Sequence, residues 1–273
     1  MTLSQWFIFF LAVQLIHGLG TWKLYIKAGR KAWESFVPIY NGIVFMKILN
    51  RPTWWVALLF LPVISLIMSI IIWVETARSF GKNTTTDTIL SIVTLGFYSY
   101  YLNYFTDVKH IEDRSLKPKS GSGEWFSSIL FAIVAATIVH TYSLQPYVIP
   151  SSSLEKSLLV GDFLIVSKMH YGTRIPKTPL QVPLTHQKIW GTEIPSYSDL
   201  IQLPYFRLPG FTSVQRNDVV VFNYPVEFNF PNDLKTNYIK RAVAVPGDEI
   251  EVREGELFVN QKASPKPEEM QYS

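Results

Sequence analysis

Residues Tyr147–Tyr171 read YVIPSSSLEKSLLVGDFLIVSKMHY. Pro150 biases the residue before it toward an extended backbone, and Gly161–Asp162 is a turn signal ahead of Phe163–Val166, which is typical of a buried strand. The serines Ser151–Ser153 lie between these apolar segments. Such a hydroxyl cluster is either a polar turn or a nucleophile held on a rigid element, and the stretch alone leaves both open.

The composition divides the chain into an apolar half and a half of ordinary globular character. The 273 residues are 48% hydrophobic and 15% aromatic, and the apolar residues concentrate before residue 145. The net charge of +4 is scattered, so a nucleic-acid groove is not expected. The sequence has no cysteine, which excludes thiol catalysis, thiolate metal sites and disulfides. The five histidines lack HExxH-type spacing, and neither a metal nor a cofactor is expected.

Four apolar runs in the first half are candidates for membrane spans: residues 3–22, 53–74, 89–105 and 125–142. The first lacks a basic start and a small-residue cleavage site, so we interpret it as an anchor and not as a signal peptide. The second has tryptophans at both ends, as expected at membrane interfaces. The third is the weakest, because its second half is rich in tyrosine. The stretch KPKSGSG, residues 117–123, is a flexible linker.

The charges of the connecting loops predict the orientation of these runs. Six basic residues separate the first run from the second, two separate the second from the third, and four separate the third from the fourth. Loops rich in basic residues stay on the cytoplasmic side of the membrane. The first and third loops are rich in basic residues and the second is poor, which predicts that the first and third are cytoplasmic. The chain after Tyr142 is then outside.

The second half shows short strands and turns without a helical period. Val219–Phe222, Tyr238–Val245 and a hairpin of Ile250–Val252 with Leu257–Val259 are predicted strands, and residues 172–212 form a long proline-containing excursion. Short strands separated by Gly/Pro turns are typical of an all-β domain.

The strand YIKRAVAV carries a cation on each face, Lys240 on one and Arg241 on the other. Both could be edge-strand charges that reach to water. Alternatively, one is a desolvated lysine whose lowered pKa lets it accept a proton near neutral pH. Arginine cannot do this, so a base for a serine nucleophile would be Lys240.

Three blocks of this sequence together resemble the boxes of bacterial type I signal peptidases. They are PSSSLEKSLLVGD (Pro150–Asp162), RNDVVVF (Arg216–Phe222) and NYIKRAVAVPGD (Asn237–Asp248). The resemblance covers about residues 125–260, and the additional apolar segments before it resemble those of Bacteroidetes-type members.

The resemblance implies roles for individual residues. Ser153 matches the nucleophile, Lys240 the general base, and Ser151 the hydroxyl that joins the Ser153 amide in binding the oxyanion. The positions that match the substrate pockets for small side chains at −1 and −3 are Ile149, Pro150, Leu158, Tyr238 and Ile239. The match departs at Ser152 for glycine, Leu154 for methionine, Lys156 for proline and Asn217 for glycine.

The family's last box, which supplies a serine that orients the lysine and an Asp/Arg pair that braces the site, has no match after residue 260. We therefore expect the chain to stop inside the catalytic domain, with loss of the box as the alternative. The expected architecture is a multi-span α-helical membrane region with about three spans (1–116), a linker and final transmembrane anchor (117–145), and an incomplete all-β, signal-peptidase-like extracytoplasmic catalytic domain (146–273).

The implied activity is that of a serine endopeptidase that removes signal peptides from exported preproteins at the outer face of the cytoplasmic membrane. Its implied partners are signal peptides, the lipid bilayer and the secretion translocon. The competing hypothesis is a non-catalytic or impaired membrane scaffold that binds preproteins without cutting them. A soluble Ser–Lys hydrolase, such as a self-cleaving repressor-type protease, is a third interpretation, which the membrane spans disfavour.

Overall fold

The computed structural model describes residues 3–117 and 121–269, which form two compact units. The first unit is helical and the second is rich in β-structure. The first comprises Met1–Ala135, Thr178–Pro183 and Tyr197–Pro204; the second comprises Ala136–Lys177, Leu184–Ser196 and Tyr205–Ser273.

The helices are α1 (Leu3–Lys27), α2 (Tyr40–Ile48), α3 (Trp55–Leu58), α4 (Ile64–Ser79), α5 (Thr85–Val93), α6 (Tyr98–Tyr104) and α7 (Gly121–Ile138). A 3₁₀ turn, Ala32–Ser35, precedes α2, and a π-helical turn, Val139–Ser143, follows α7. Within the described residues, two helices are long and apolar enough to cross a membrane, Ser4–Lys27 and Gly123–Ser143.

The predicted second and third spans are not continuous helices. In the second, α3 ends at Leu58 and α4 begins only after Pro62–Val63. Proline has no amide hydrogen and disfavours a helical conformation in the residue before it, and Val63 has a φ of 70°. In the third, Leu95 and Gly96 both have positive φ and separate α5 from α6. The prediction of one helix across each run was therefore wrong.

The interrupted segments fold back as hairpins whose tips reach the middle of α1. The ring of Phe36 lies where a Cβ on Gly18 would be, and Asn41 donates to Gln14 Oε1 at 2.7 Å. The ring centroids of Phe60 and Phe10 are 6.3 Å apart, and the Tyr100 hydroxyl donates to the Ile16 carbonyl at 2.6 Å. At about 1.5 Å per residue, Gln14 lies ~20 Å from the end of α1 at Lys27. We define the hairpin tips as residues 37–39, 59–63 and 94–97.

The other ends of the hairpins meet at the Lys27 end of α1. Lys27 Nζ donates to the Thr106 carbonyl at 2.8 Å. The buried carboxylate of Glu75 pairs with Arg51 at 2.8 Å, with Arg78 at 3.7 Å and with Arg114. Arg51, Arg78 and Arg114 come from three successive loops that the charge alternation placed on alternate sides of a membrane. Because their guanidinium groups share one carboxylate, that alternation was wrong for this region.

A core of apolar residues holds the hairpins to α1. Leu24 and Tyr25 are fully buried against Phe45, Phe80 and Leu102, and the Tyr25 and Phe45 rings stack at 5.6 Å. Asn103 of α6 supports this packing, because its side-chain oxygen accepts from the Lys23 and Leu24 amides.

The second unit contains three small antiparallel sheets. The strands are β1 (Leu144–Val148), β2 (Phe163–Ser167), β3 (Val219–Asn223), β4 (Asn237–Arg241), β5 (Ile250–Arg253), β6 (Glu256–Val259) and β7 (Lys262–Ala263). β1 pairs with β2, β3 pairs with β4, and β5, β6 and β7 form a meander. The predicted strands are confirmed, except that β4 ends at Arg241 and does not continue to Val245. The burial predicted for β2 was wrong, because the side chains of Phe163 and Ile165 are 84% and 75% exposed.

The excursion predicted at 172–212 has isolated bridges but no strand or helix. Its base is closed within the second unit, where Leu208 N donates to the Thr173 carbonyl at 2.9 Å and Ile175 N to the Phe206 carbonyl at 3.0 Å. Gly172 has a φ of 88°, and a Cβ there would lie 2.1 Å from the Leu208 carbonyl oxygen. Glycine is therefore required where the two sides of the base meet.

Replacing Glu75 tests the ion cluster at the hairpin bases. Glu75→Gln leaves three guanidinium groups without a counter-charge, and removal of one partner from a buried ion pair typically costs about 3–5 kcal/mol. We expect a lowered thermal unfolding midpoint for the full chain in detergent. The control is Glu112→Gln, because Glu112 is exposed. An equal effect of both substitutions would contradict the structural role of Glu75.

Candidate active site

The serine-containing loop between β1 and β2 is closed by its own backbone. Ile149, which is 3% exposed, donates its amide to the Asp162 carbonyl at 3.0 Å and accepts from Gly161 N at 2.9 Å. The Asp162 carboxylate accepts from Leu159 N at 2.8 Å. This local pairing extends the β1–β2 ladder and presents the short 3₁₀ turn Ser152–Leu154 at the surface.

Lys240 of β4 contacts Ser153 directly. Its Nζ donates to Ser153 Oγ, and the Ser151 and Ser153 hydroxyl oxygens are 3.4 Å apart. Ser152 is exposed, and no lysine among the described residues contacts its hydroxyl. The geometry therefore distinguishes Ser153 from its neighbour, which the run of three serines alone could not do.

The residues that the resemblance assigns to the substrate pockets differ in burial and in the face on which they lie. Ile149 is buried, Pro150 is exposed beside the serines, and Leu158 is half-buried in the same loop. Strand alternation puts Tyr238 on the face of Lys240 and Ile239 on the opposite face. The Tyr238 ring stacks on Tyr224 at 4.5 Å. Of the two β4 residues, Tyr238 is the one that shares the face of the Ser153–Lys240 contact.

Arg241 anchors the serine loop, a role that the sequence interpretation as an edge-strand charge missed. Its guanidinium donates to Ser157 Oγ at 2.7 Å and to the Asn217 carbonyl at 2.8 Å. Its Nε is buried and has no hydrogen-bond partner among the described residues. The adjacent residues Lys240 and Arg241 thus both bind the serine loop. The signal available in the sequence was an arginine next to a lysine within an otherwise apolar strand.

Two departures from the family pattern fall at residues with positive φ. Asn217, which replaces a glycine, has a φ of 73°, and asparagine tolerates this conformation better than most residues. Lys156, which replaces a proline, also has a φ of 73°. Proline is fixed near −65°, so the turn at Lys156 differs in conformation from one that a proline would form.

Lys168, another lysine of this unit, lies away from the serines. Burial, with a smaller contribution from Arg174, lowers the pKa of Lys168 to about 8. Lys168 follows the last residue of β2, whereas the serine loop joins the first. At about 3.3 Å per residue, the strand separates them by ~16 Å. Position therefore favours Lys240 as the partner of Ser153.

The turn after β4 is fixed by the carboxylate of Asp248. It accepts from Arg216 Nε at 2.8 Å, Val245 N at 2.9 Å and Asn260 Nδ2 at 3.0 Å. The Arg216 guanidinium and then the Val245 amide hold the pKa of Asp248 well below its usual range. One carboxylate thus joins the turn before β3, the turn after β4 and the β6–β7 turn.

No cluster of three or more His, Cys, Asp or Glu side chains that could hold a metal occurs within the described residues. The assembled groups are instead a hydroxyl, an amine in contact with it, and a second hydroxyl beside them. An amine that is neutral can take the serine proton, and the alkoxide can attack a carbonyl carbon. The arrangement can thus support acyl transfer.

Comparison with known proteins places this site in a family. Residues 122–273 match the family described as Signal peptidase, peptidase S26, and residues 33–113 match a Family of unknown function (DUF5684). The chain belongs to the signal peptidase family, peptidase S26. No solved structure matches it.

Curated relatives carry the name Signal peptidase I. The one from Pseudomonas aeruginosa is 32% identical over 139 residues, 50% of this chain and 37% of the relative. The one from Buchnera aphidicola is 29% identical over 175 residues, 59% of this chain and 46% of the relative. The one from Rickettsia typhi is 27% identical over 138 residues, 50% of this chain and 43% of the relative. The matched part is thus less than half of each relative's length.

The Asp248 contacts generate a prediction about pH. Because the pKa of this carboxyl is lowered in the folded state, its stabilisation is present above about pH 4 and is lost as pH falls through the folded-state pKa. We expect Asp248→Asn to lower the thermal unfolding midpoint at pH 7. Below about pH 4, the difference in midpoint between the variant and the parent chain should shrink progressively. The exposed Asp199 supplies the control Asp199→Asn. A difference that stays constant with pH would contradict this role.

Proposed function

We propose that this protein is a membrane-bound signal peptidase, a serine endopeptidase that cleaves signal peptides from exported preproteins after a small-x-small motif. The observation that carries the proposal is the contact of Lys240 Nζ with Ser153 Oγ inside the family-matched region. The relatives' name, Signal peptidase I, supports the choice of substrate.

In the proposed reaction, neutral Lys240 takes the proton of Ser153, and Ser153 Oγ attacks the scissile carbonyl. The Ser153 amide and the Ser151 hydroxyl bind the developing oxyanion, a contribution of about 3–4 kcal/mol per donor in comparable sites. Lys240 then gives its proton to the leaving amine, and the acyl-enzyme forms. Water, deprotonated by Lys240, releases the acyl group. Pro150, Ile149, Leu158 and Tyr238 are the proposed contacts for the small side chains, whereas Ile239 lies on the face of β4 opposite Lys240.

The candidate apolar helices and the family together indicate membrane association. We propose an inner-membrane protein with two crossings, α1 and α7, and with the β-rich catalytic region on the outer side. The basic residues at the Lys27 end of α1, which include Arg51, Arg78 and Arg114, support a cytoplasmic position for the hairpin bases. The proposed domains remain 1–116, 117–145 and 146–273, with the bilayer and the secretion translocon as partners.

The dyad is tested by cleavage of a preprotein with purified full chain in detergent. We expect Ser153→Ala and Lys240→Ala each to lower kcat at least about 10³-fold, because nucleophile and base act as a unit. Ser151→Ala is expected to lower kcat about 10²–10³-fold, as for loss of one oxyanion donor. Ser152→Ala is the matched control and should retain activity.

Undiminished cleavage by the Lys240 variant would refute the dyad. If the parent chain binds the preprotein without cutting it, the scaffold hypothesis becomes the better account.

The two-crossing topology is tested by cysteine labelling, because the chain has no native cysteine. Lys47→Cys at the end of α2, and Asn83→Cys and Glu112→Cys in the two following loops, are single variants at the three hairpin bases. We expect all three to react with a membrane-impermeant maleimide from the cytoplasmic side only, whereas Ser213→Cys should react from the outer side. Labelling of Asn83→Cys from the outer side would contradict the two-crossing topology and support four crossings.

A further inference from the structure

The helical unit contains a partly open cavity of about 410 Å³ between the middle of α1 and the hairpin tips. One wall is a stripe of α1 at helical spacing, Phe10, Gln14, His17 and Thr21. The remaining wall comes from α2, α3, α4, α6 and the tips, and its aromatic members are Phe45, Phe60, Trp73, Phe97 and Tyr100. The region matched to the family of unknown function thus supplies most of the lining.

The lining is mainly apolar and carries no acidic or basic side chain apart from one histidine. The tips that border it expose apolar residues, with Ile39 52%, Phe60 52% and Leu95 69% exposed. Apolar side chains exposed at the level of the middle of a membrane-crossing helix are compatible with hydrocarbon around them. A ligand in this cavity would therefore be uncharged and largely apolar.

Several polar groups of the lining are left without hydrogen bonds. The imidazole of His17, the Ser69 hydroxyl, the Trp73 indole N–H and the Ser99 hydroxyl have no hydrogen-bond partner among the described residues. Unpaired polar groups in an apolar, membrane-embedded setting cost free energy. Other polar side chains here are paired, for example Thr21 with the His17 carbonyl and Thr76 with the Ile72 carbonyl. The unpaired set is thus available to a ligand.

We propose that this cavity binds a neutral membrane amphiphile whose head bears carbonyl oxygens. Its head accepts hydrogen bonds from the donors Trp73 and His17, and its apolar body lies among the aromatic side chains. A quinone and a diacylglycerol share this chemistry. The proposal is independent of the peptidase activity, because no lining residue belongs to the Ser153–Lys240 site.

The test measures whether two probes, decylubiquinone and dioctanoylglycerol, bind saturably to the full chain in detergent. Binding is monitored by the shift of the thermal unfolding midpoint and by the change in tryptophan fluorescence. We expect at least one probe to bind saturably. His17→Leu and Trp73→Phe should each weaken that binding at least 5-fold, roughly the loss of one hydrogen bond. Ser69→Leu, which fills the cavity, should abolish it.

The matched control is Ser65→Leu, one helical turn before Ser69 and outside the lining; it should bind as the parent chain does. If only one probe binds, the result shows whether the ligand is of the quinone or of the diacylglycerol type. Failure of both probes to bind, or equal binding by the Ser69→Leu and Ser65→Leu variants, would overturn the proposal. Preprotein cleavage should be unchanged in every variant, so loss of binding is separable from loss of peptidase activity.

Discussion

The contact between Ser153 and Lys240 joins segments 87 residues apart in sequence, and the β-rich unit is arranged so that this contact forms. The β1–β2 ladder fixes the serine loop through Ile149, and the β3–β4 ladder fixes the lysine. Arg241 then fastens the two together through Ser157. A weak nucleophile is useful only when its base is held in hydrogen-bond contact, so this alignment is the condition on which the proposed chemistry depends.

A buried carboxylate has a comparable role in the helical unit. Glu75 brings together arginines from three loops, and without it their guanidinium groups would repel one another at close range. This cluster explains how segments rich in apolar residues can form hairpins that return to the end of α1 from which they start. Their backbone reversals fall at Pro62–Val63 and Leu95–Gly96, where the chain cannot continue as a helix.

The two units carry different kinds of site. In the β-rich unit a hydroxyl and an amine meet at the surface, where a polypeptide substrate can reach them. In the helical unit, polar groups face a mainly apolar cavity of about 410 Å³, a volume that suits a small molecule. A small amphiphile satisfies such groups without requiring water in the apolar interior.

The sequence by itself determined the membrane-associated first half, the β-rich second half, the positions of β2, β3, β5 and β6, and Ser153 and Lys240 as the candidate pair. The first features follow from local composition and from period-two patterns along the chain, whereas the Ser153–Lys240 pair follows from the resemblance of three short boxes to those of signal peptidases. Tertiary structure decided what depends on distant partners. The contact with Lys240 distinguishes Ser153 from Ser152. Arg241 hydrogen-bonds the serine loop and is not an edge-strand charge. The two middle apolar runs form hairpins and not single membrane-spanning helices. Hydropathy measures how apolar a segment is, but the ion pairs of Glu75 and the backbone at Val63 and Leu95 determine where that segment goes.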